Sequence, residues 1–206
     1  MFTGLVREIA KVEKFQNNIL YLRSSYRPTL GDSIAVNGAC LTVIKLTPSG
    51  FGLELSSHTQ EKIASENYKH LVHIEPALRA DSRIDGHFVQ GHIDGIGTIQ
   101  SITPHKNQID FVIQTSQDIL NLIIPQGSIT IEGVSLTIAE IFSNSFKLTI
   151  IPYTFKHTLF HTYKPQRRVN IETDVLVRSI ALLLKQRDKQ QNLHSWEAID
   201  SMILGY

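Results

Sequence analysis

Cys40 and Ser135 are the reactive side chains to weigh first. Each stands two residues after a glycine and is followed by Leu-Thr, in Asn37-Gly38-Ala39-Cys40-Leu41-Thr42 and Glu132-Gly133-Val134-Ser135-Leu136-Thr137. A thiol and a hydroxyl at matched places can serve as nucleophiles or proton relays, provided a base such as histidine comes within reach to take the proton. The plainer reading is a small residue buried in a strand, with Thr favoured there for its β-propensity. His92 is set apart from the other histidines because its counterpart in the matching stretch is Leu5, beside a glycine, Gly91, that is matched by Gly4. A polar ring thus stands where the other stretch keeps an apolar chain.

Other chemistries find less support. His87 and His92 lie five residues apart on a segment that reads as extended, so they face opposite sides of it. No Cys pair, HExxH motif or carboxylate cluster accompanies them, which speaks against a metal centre. Gly95-Ile96-Gly97 lacks the third glycine of a dinucleotide fingerprint and opens no helix. Cys40 is the one cysteine, so no intramolecular disulfide can form, which fits a reducing cytosol. With 20 Lys+Arg against 19 Asp+Glu there is no electrostatic footprint for nucleic acid or an anionic membrane. The start is charged early and lacks a signal-length apolar core, and no apolar run reaches the ~20 residues of a membrane span.

The elements that carry these residues occur twice. Thr3-Gly4-Leu5-Val6 to Val12 lies over Gln90-Gly91-His92-Ile93 to Ile99 at an offset of 87, and Ser33–Thr59 lies over Ser128–Thr154 at an offset of 95. The second alignment holds eight identities (Ser33, Ile34, Gly38, Leu41, Thr42, Phe51, Leu53 and Thr59) in 27 positions, where average usage gives roughly two. A third match, His73-Ile74-Glu75 over Asn170-Ile171-Glu172, sits at 97. A duplication of this length is that of a small domain.

Within each copy, Val/Ile/Thr-rich stretches separated by turn signals predict about six short strands, the rhythm of a small closed barrel. Residues 1–14 and 89–103 read as strands, with Gly4 and Gly91 marking a bulge or a close backbone approach. Asn37-Gly38 and Glu132-Gly133 read as hairpin turns, and Ser116 as the N-cap of a short helix over 117–123. The tail departs from the repeat. Asp174 is a candidate N-cap for an amphipathic helix over 175–190 whose Leu176, Ile180 and Leu183 form an apolar stripe suited to other subunits, and 195–204 could form a second helix. The expected division is 1–86 and 87–173 for two barrels, and 174–206 for an oligomerisation helix and tail.

Met1-Phe2-Thr3-Gly4-Leu5-Val6, Asn37-Gly38-Ala39-Cys40-Leu41-Thr42-Val43, Gly86-His87-Phe88-Val89-Gln90-Gly91-His92-Ile93-Asp94-Gly95 and Gly133-Val134-Ser135-Leu136-Thr137 resemble the signature blocks of riboflavin synthase, the α-subunit type with tandem lumazine-binding repeats. The resemblance implies an all-β chain of two homologous six-stranded Greek-key barrels in tandem plus a C-terminal α-helix, assembled as a cytoplasmic homotrimer. It implies dismutation of two molecules of 6,7-dimethyl-8-ribityllumazine to riboflavin and 5-amino-6-ribitylaminouracil, the last step of riboflavin biosynthesis, with no cofactor and no metal. Facing pockets would come from the N-barrel of one subunit and the C-barrel of its neighbour. Association with a lumazine synthase capsid is the further partner it raises. The alternative is a non-enzymatic lumazine- or flavin-binding protein of the same superfamily.

Carried over position by position, the resemblance implies one pocket of Gly4, Leu5, Val6, Cys40, Leu41, Thr42, Glu54, Leu55, Ser56, Ser57, His58 and Thr59. The other is Gly91, His92, Ile93, Val134, Ser135, Leu136, Thr137, Leu148, Thr149, Ile150, Ile151, Pro152, Tyr153 and Thr154, with Gln126 and Glu132 as further substrate contacts. Phe2, Cys40, His92 and Ser135 take the catalytic places near the reacting rings. Departures fall at Glu132, where Asp is usual, at Gln126, where Lys is frequent, and at His58 and Tyr153, where Glu often precedes Thr.

Overall fold

In a computed structural model the chain is described over residues 1–187. Six strands close each barrel. The first contains β1 (Glu8–Gln16), β2 (Ile19–Arg23), β3 (Ser33–Val36), β4 (Ala39–Thr47), β5 (Gly50–Glu54) and β6 (Leu71–Pro76), in the order β1-β2-β5-β4-β3-β6. The second contains β7 (Gly95–Pro104), β8 (Ile109–Gln114), β9 (Ser128–Ile131), β10 (Val134–Ile141), β11 (Ser145–Ile150) and β12 (Arg168–Thr173), and its neighbours are paired in the equivalent way. Every pairing is antiparallel. The repeated identities Phe51/Phe146 and Leu53/Leu148 are completely buried, so the sequence match is a match of barrel interiors. Short helices α1 (Ser57–Lys62), α2 (Gln117–Leu120) and α3 (Pro152–His157) follow β5, β8 and β11; α2 packs Ile119 and Leu120 on the second barrel's core, and Ser116 caps it as expected. A fourth helix, α4, runs over 175–187 and is opened by Asp174, whose Oδ1 accepts from the Leu176 N–H at 2.8 Å. The expected continuation to 190 and the second helix over 195–204 lie outside the described residues.

Residues 1–7 and 89–94 are not the strand starts their composition suggests. Gly4 (φ 77°) and Gly91 (φ 81°) are left-handed, which breaks the extended path, and β1 and β7 begin only at Glu8 and Gly95. What remains is an antiparallel bridge between the two entry segments, with Phe2 N–H donating to Val89 C=O at 2.7 Å and Val89 N–H to Phe2 C=O at 3.1 Å.

The barrels meet about a pseudo-twofold axis. Asn37-Gly38 and Glu132-Gly133 form hairpin turns with positive φ at both central residues, and the two turns pack back to back. A Cβ on Gly38 would lie 2.9 Å from Gly133 N, and one on Gly133 2.8 Å from Gly38 N, so neither position has room for a side chain. On either side, matched residues bridge the interface. His73 Nδ1–H donates to Glu132 C=O (2.8 Å) while Nε2 accepts from Leu159 N–H (2.7 Å). Asn170 Nδ2–H donates to Asn37 C=O (2.9 Å) while Oδ1 accepts from Ala64 N–H (2.7 Å). Backbone partners that can only accept or only donate fix His73 as the neutral Nδ1–H tautomer. Burial pushes its pKa down to about 4, in keeping with that state.

Candidate active site

Because the turns pack back to back, the first residues of β4 and β10 lie beside the other barrel's entry segment. Cys40 N–H donates to Gly91 C=O at 2.8 Å, and Ser135 N–H donates to Gly4 C=O at 2.7 Å. A Cβ on Gly91 would come within 2.6 Å of Cys40 Cβ, and one on Gly4 within 2.7 Å of Ser135 Cβ. Each entry segment is fixed from below by a glutamate of its own barrel's last strand. Glu75 accepts from Thr3 N–H (2.7 Å), Thr3 Oγ1–H (2.8 Å) and Gly4 N–H (3.0 Å), and Glu172 from Gln90 N–H (2.7 Å) and Gly91 N–H (2.9 Å). Burial raises both carboxyls, Glu172 to about 7, against the pull of these donors.

Around Cys40 the arrangement leaves a cleft of about 300 Å³, lined by Cys40 with His58, Thr59, Lys62, Gly91, His92 and Ile93 among its walls. A neighbouring hollow is bounded by Cys40, Leu41, Thr42, Glu54, Ser56 and Thr59. Ser56 sets the rim between them: its Oγ caps α1 by accepting from Thr59 N–H at 3.1 Å, which turns His58 and Lys62 toward the opening.

The matching place at Ser135 is equipped differently. His87 Nδ1 lies 2.7 Å from Ser135 Oγ and its Nε2 lies 3.2 Å from Thr130 Oγ1. With Nε2–H donating to Thr130, Nδ1 accepts the Ser135 O–H, the geometry of a hydroxyl with its general base. Burial lowers the His87 pKa and Asp174 opposes that shift. Gly86 allows this placement, since a Cβ there would lie 2.0 Å from Thr3 C=O. The two half-sites therefore differ in kind, a half-buried thiol beside an exposed imidazole against a hydroxyl bonded to a half-buried one.

The chain matches the lumazine binding domain family twice, over residues 3–77 and 90–174. It is 36% identical over 203 residues to the riboflavin synthase of Actinobacillus pleuropneumoniae, covering 93% of this chain and 94% of that one. The chain belongs to the riboflavin synthase family. Riboflavin synthase of Photobacterium phosphoreum is 35% identical over 206 residues, with 94% of each chain covered. In fold, the chain is also similar to LumP in its complex with riboflavin, at a TM-score of 0.76 and 21% identity, covering 84% of this chain and 99% of that one.

Set against the family's blocks, the structure regroups several of the sequence-expected residues. Gly4, Leu5 and Val6 were expected beside Cys40, and Gly91, His92 and Ile93 beside Ser135. Instead Val6 packs on the second barrel's core and Ile93 on the first's, because the entry segments cross the pseudo-twofold axis. Phe2 is wholly buried with Ala35 and Val89 against Cys40 and Gly91, so its ring supports the thiol from behind and does not face the cleft. Leu55, Val134, Leu148 and Ile150 point into the barrels, as do Leu41 and Leu136, and they hold the strands that carry their neighbours. Thr137, Ser57, Ile151, Pro152 and Tyr153 are exposed, Tyr153 stacking on His157 at 4.0 Å, while Thr154 is half-buried. Thr149 Oγ1–H donates to Asp110 at 2.9 Å.

Glu132, expected as a substrate contact, is completely buried between the barrels, accepting from Asn170 N–H at 2.7 Å, with Arg167 3.7 Å away, and burial raises its pKa to about 7. The left-handed turn aims its side chain at β12, so its carboxyl is spent on the barrel interface. Gln126 sits exposed in the tight turn 124–127, its N–H donating to Ile138 C=O at 2.9 Å. Sequence reasoning missed His87, which it treated only as a metal ligand, and the Glu75/Glu172 cradle, whose one signal was the third repeat match.

Proposed function

We propose that the chain is a riboflavin synthase in activity as well as in family: it converts two molecules of 6,7-dimethyl-8-ribityllumazine to riboflavin and 5-amino-6-ribitylaminouracil by transfer of a four-carbon unit. The observation that carries this reading is that both half-sites are equipped, and equipped unequally. A reaction between two copies of one substrate needs two similar pockets, so that proximity replaces a bimolecular collision. One ligand must donate and the other accept, so the pockets must also differ. Cys40 with His92, and Ser135 with His87, meet both requirements. Loss of a proton from the donor's 7-methyl group, assisted by such a group, gives a carbanion delocalised into the ring system that attacks C7 of the acceptor. No cofactor enters the scheme.

We also propose a cytoplasmic homotrimer in which the N-barrel of one subunit faces the C-barrel of the next. Support comes from α4, whose Leu176, Ile180 and Leu183 remain 59%, 58% and 66% exposed on a helix tied to the second barrel through Arg178. In this scheme residues 1–86 and 87–173 are the barrels and 174–206 the assembling tail. The test is incubation with the lumazine, followed by the appearance of riboflavin fluorescence. Tight binding of the chromophore without turnover would sink the enzyme and leave a carrier.

A further inference from the structure

The segment from Gly86 to Asp94 carries both histidines of the half-sites, and α4 grips it on either side of His92. Arg178 leaves α4 opposite the exposed apolar stripe. Its Nη1–H donates to Asp94 Oδ2 and its Nη2–H to Gln90 Oε1, and the side chains of Arg178 and Asp94 are only 16% and 18% exposed. Asp94 Oδ2 also accepts from Thr173 N–H (2.8 Å) and Thr173 Oγ1–H (2.7 Å), while Glu172 holds the amides of Gln90 and Gly91. Residues 90, 91 and 94 are thus pinned by three anchors, Glu172 and Thr173 at the end of β12 and Arg178 in the first turns of α4. Between them, Gly91 presents its carbonyl to Cys40 and His92 lines the cleft. Among the described residues the first copy has no such brace; its entry segment is held by Glu75 and by a loop contact, Leu78 N–H to Met1 C=O (2.8 Å).

We propose that Arg178 is a positioning residue whose guanidinium fork fixes the 90–94 segment, making the C-terminal helix part of the geometry of the Cys40–His92 half-site. The proposal rests on the reading of that cleft as the substrate site. A planar fork can satisfy a carboxylate and an amide oxygen at once, whereas a lysine ammonium offers one compact charge that reaches one of them well. Without the fork, the segment keeps Glu172 on Gln90 and Gly91 and Thr173 on Asp94, but loses the one link that ties Gln90 to Asp94 across His92.

The test compares Arg178→Met and Arg178→Lys with Lys147→Met, which breaks the ion pair to Glu140 on the opposite barrel wall. Three quantities are measured on the full chain: the labelling rate of Cys40 by an aromatic disulfide, the shape of the His92 ring resonances by NMR at one fixed pH, and turnover of the lumazine. Cys40 is the single cysteine, so labelling reports one site. For Arg178→Met, losing a charge-assisted bond predicts labelling faster and kcat lower by roughly tenfold or more, with broadened or doubled His92 ring resonances. Arg178→Lys falls between, and Lys147→Met matches the parent. Parent-like labelling and His92 resonances in folded Arg178→Met overturn the proposal. If that variant does not fold, parent-like values in Arg178→Lys overturn it equally, since the fork would then be dispensable. Should the parent itself fail to turn over the lumazine, the functional reading falls while labelling and the His92 resonances still decide the role of Arg178.

Discussion

Replacing Gly91 by alanine tests the exchange of entry segments directly. Two separable costs act there. The backbone is left-handed at φ 81°, which for an L-residue costs roughly 1–2 kcal/mol. The new Cβ would also lie 2.6 Å from Cys40 Cβ, 2.9 Å from Cys40 N and 3.0 Å from the Phe2 ring. Two of those neighbours are backbone or the stem of a short side chain, so relief requires moving β4 or the segment itself, an overpacking cost of about 1–3 kcal/mol. Gly31 separates the terms, because it has a similar φ of 89° and nothing within 4 Å of an added Cβ. Gly31→Ala should therefore lose only the strain, about 1–2 kcal/mol, and Gly91→Ala about 2–5 kcal/mol, by urea unfolding under identical conditions. Gly91→Ala should in addition break the Cys40–Gly91 hydrogen bond and depress turnover, while Gly31→Ala leaves it near the parent rate. If the two variants lose equal stability, the segment does not lie on Cys40 and the grouping of the half-sites is wrong.

Acid stability should reveal His73. Its folded pKa of about 4 lies below the ordinary 6.5, so the stability it supports is present above pH 6.5 and lost as pH falls toward 4, by up to about 3 kcal/mol. Glu132, raised to about 7, works the other way: the folded state holds its proton between pH 4.5 and 7, so stability is lost as pH rises through that window. Glu132→Gln should thus be more stable than the parent at pH 8 and show a steeper decline from 6.5 to 4; an unchanged pH–stability curve would refute both assignments. Cys40→Ser should lower turnover while leaving lumazine binding largely intact, because size and hydrogen bonding are kept but the more easily ionised group is lost. His92→Leu, which copies Leu5 into the second segment, should cost ~10²–10⁴-fold in single-turnover rate, and parent rates in both variants would assign catalysis to juxtaposition alone. Replacing Ile180 and Leu183 by Asp should give monomers with folded barrels, and sedimentation of an unchanged oligomer would remove α4 from the interface.

The duplication was legible in the sequence because it is written in residues that serve the same local purpose twice. Phe51/Phe146 and Leu53/Leu148 fill the barrels, Gly38/Gly133 turn the hairpins, and alternation along each strand sets the inward face, so barrel number, turn positions and the α4 stripe follow from short-range pattern. The family's blocks likewise pointed to Cys40, His92 and Ser135. What only the tertiary structure decided is which of these meet. Gly91 on Cys40, Gly4 on Ser135, His87 on Ser135 and Arg178 on Asp94 join residues 48 to 131 positions apart, the two glycine contacts across an axis that exists only once both barrels are closed. Glu132 shows the same limit from the other side: the family resemblance placed it among the substrate contacts, yet a left-handed turn sends its carboxyl into the interface. Periodicity records which way a side chain points from its own strand, and the packing of two closed barrels decides what stands opposite it.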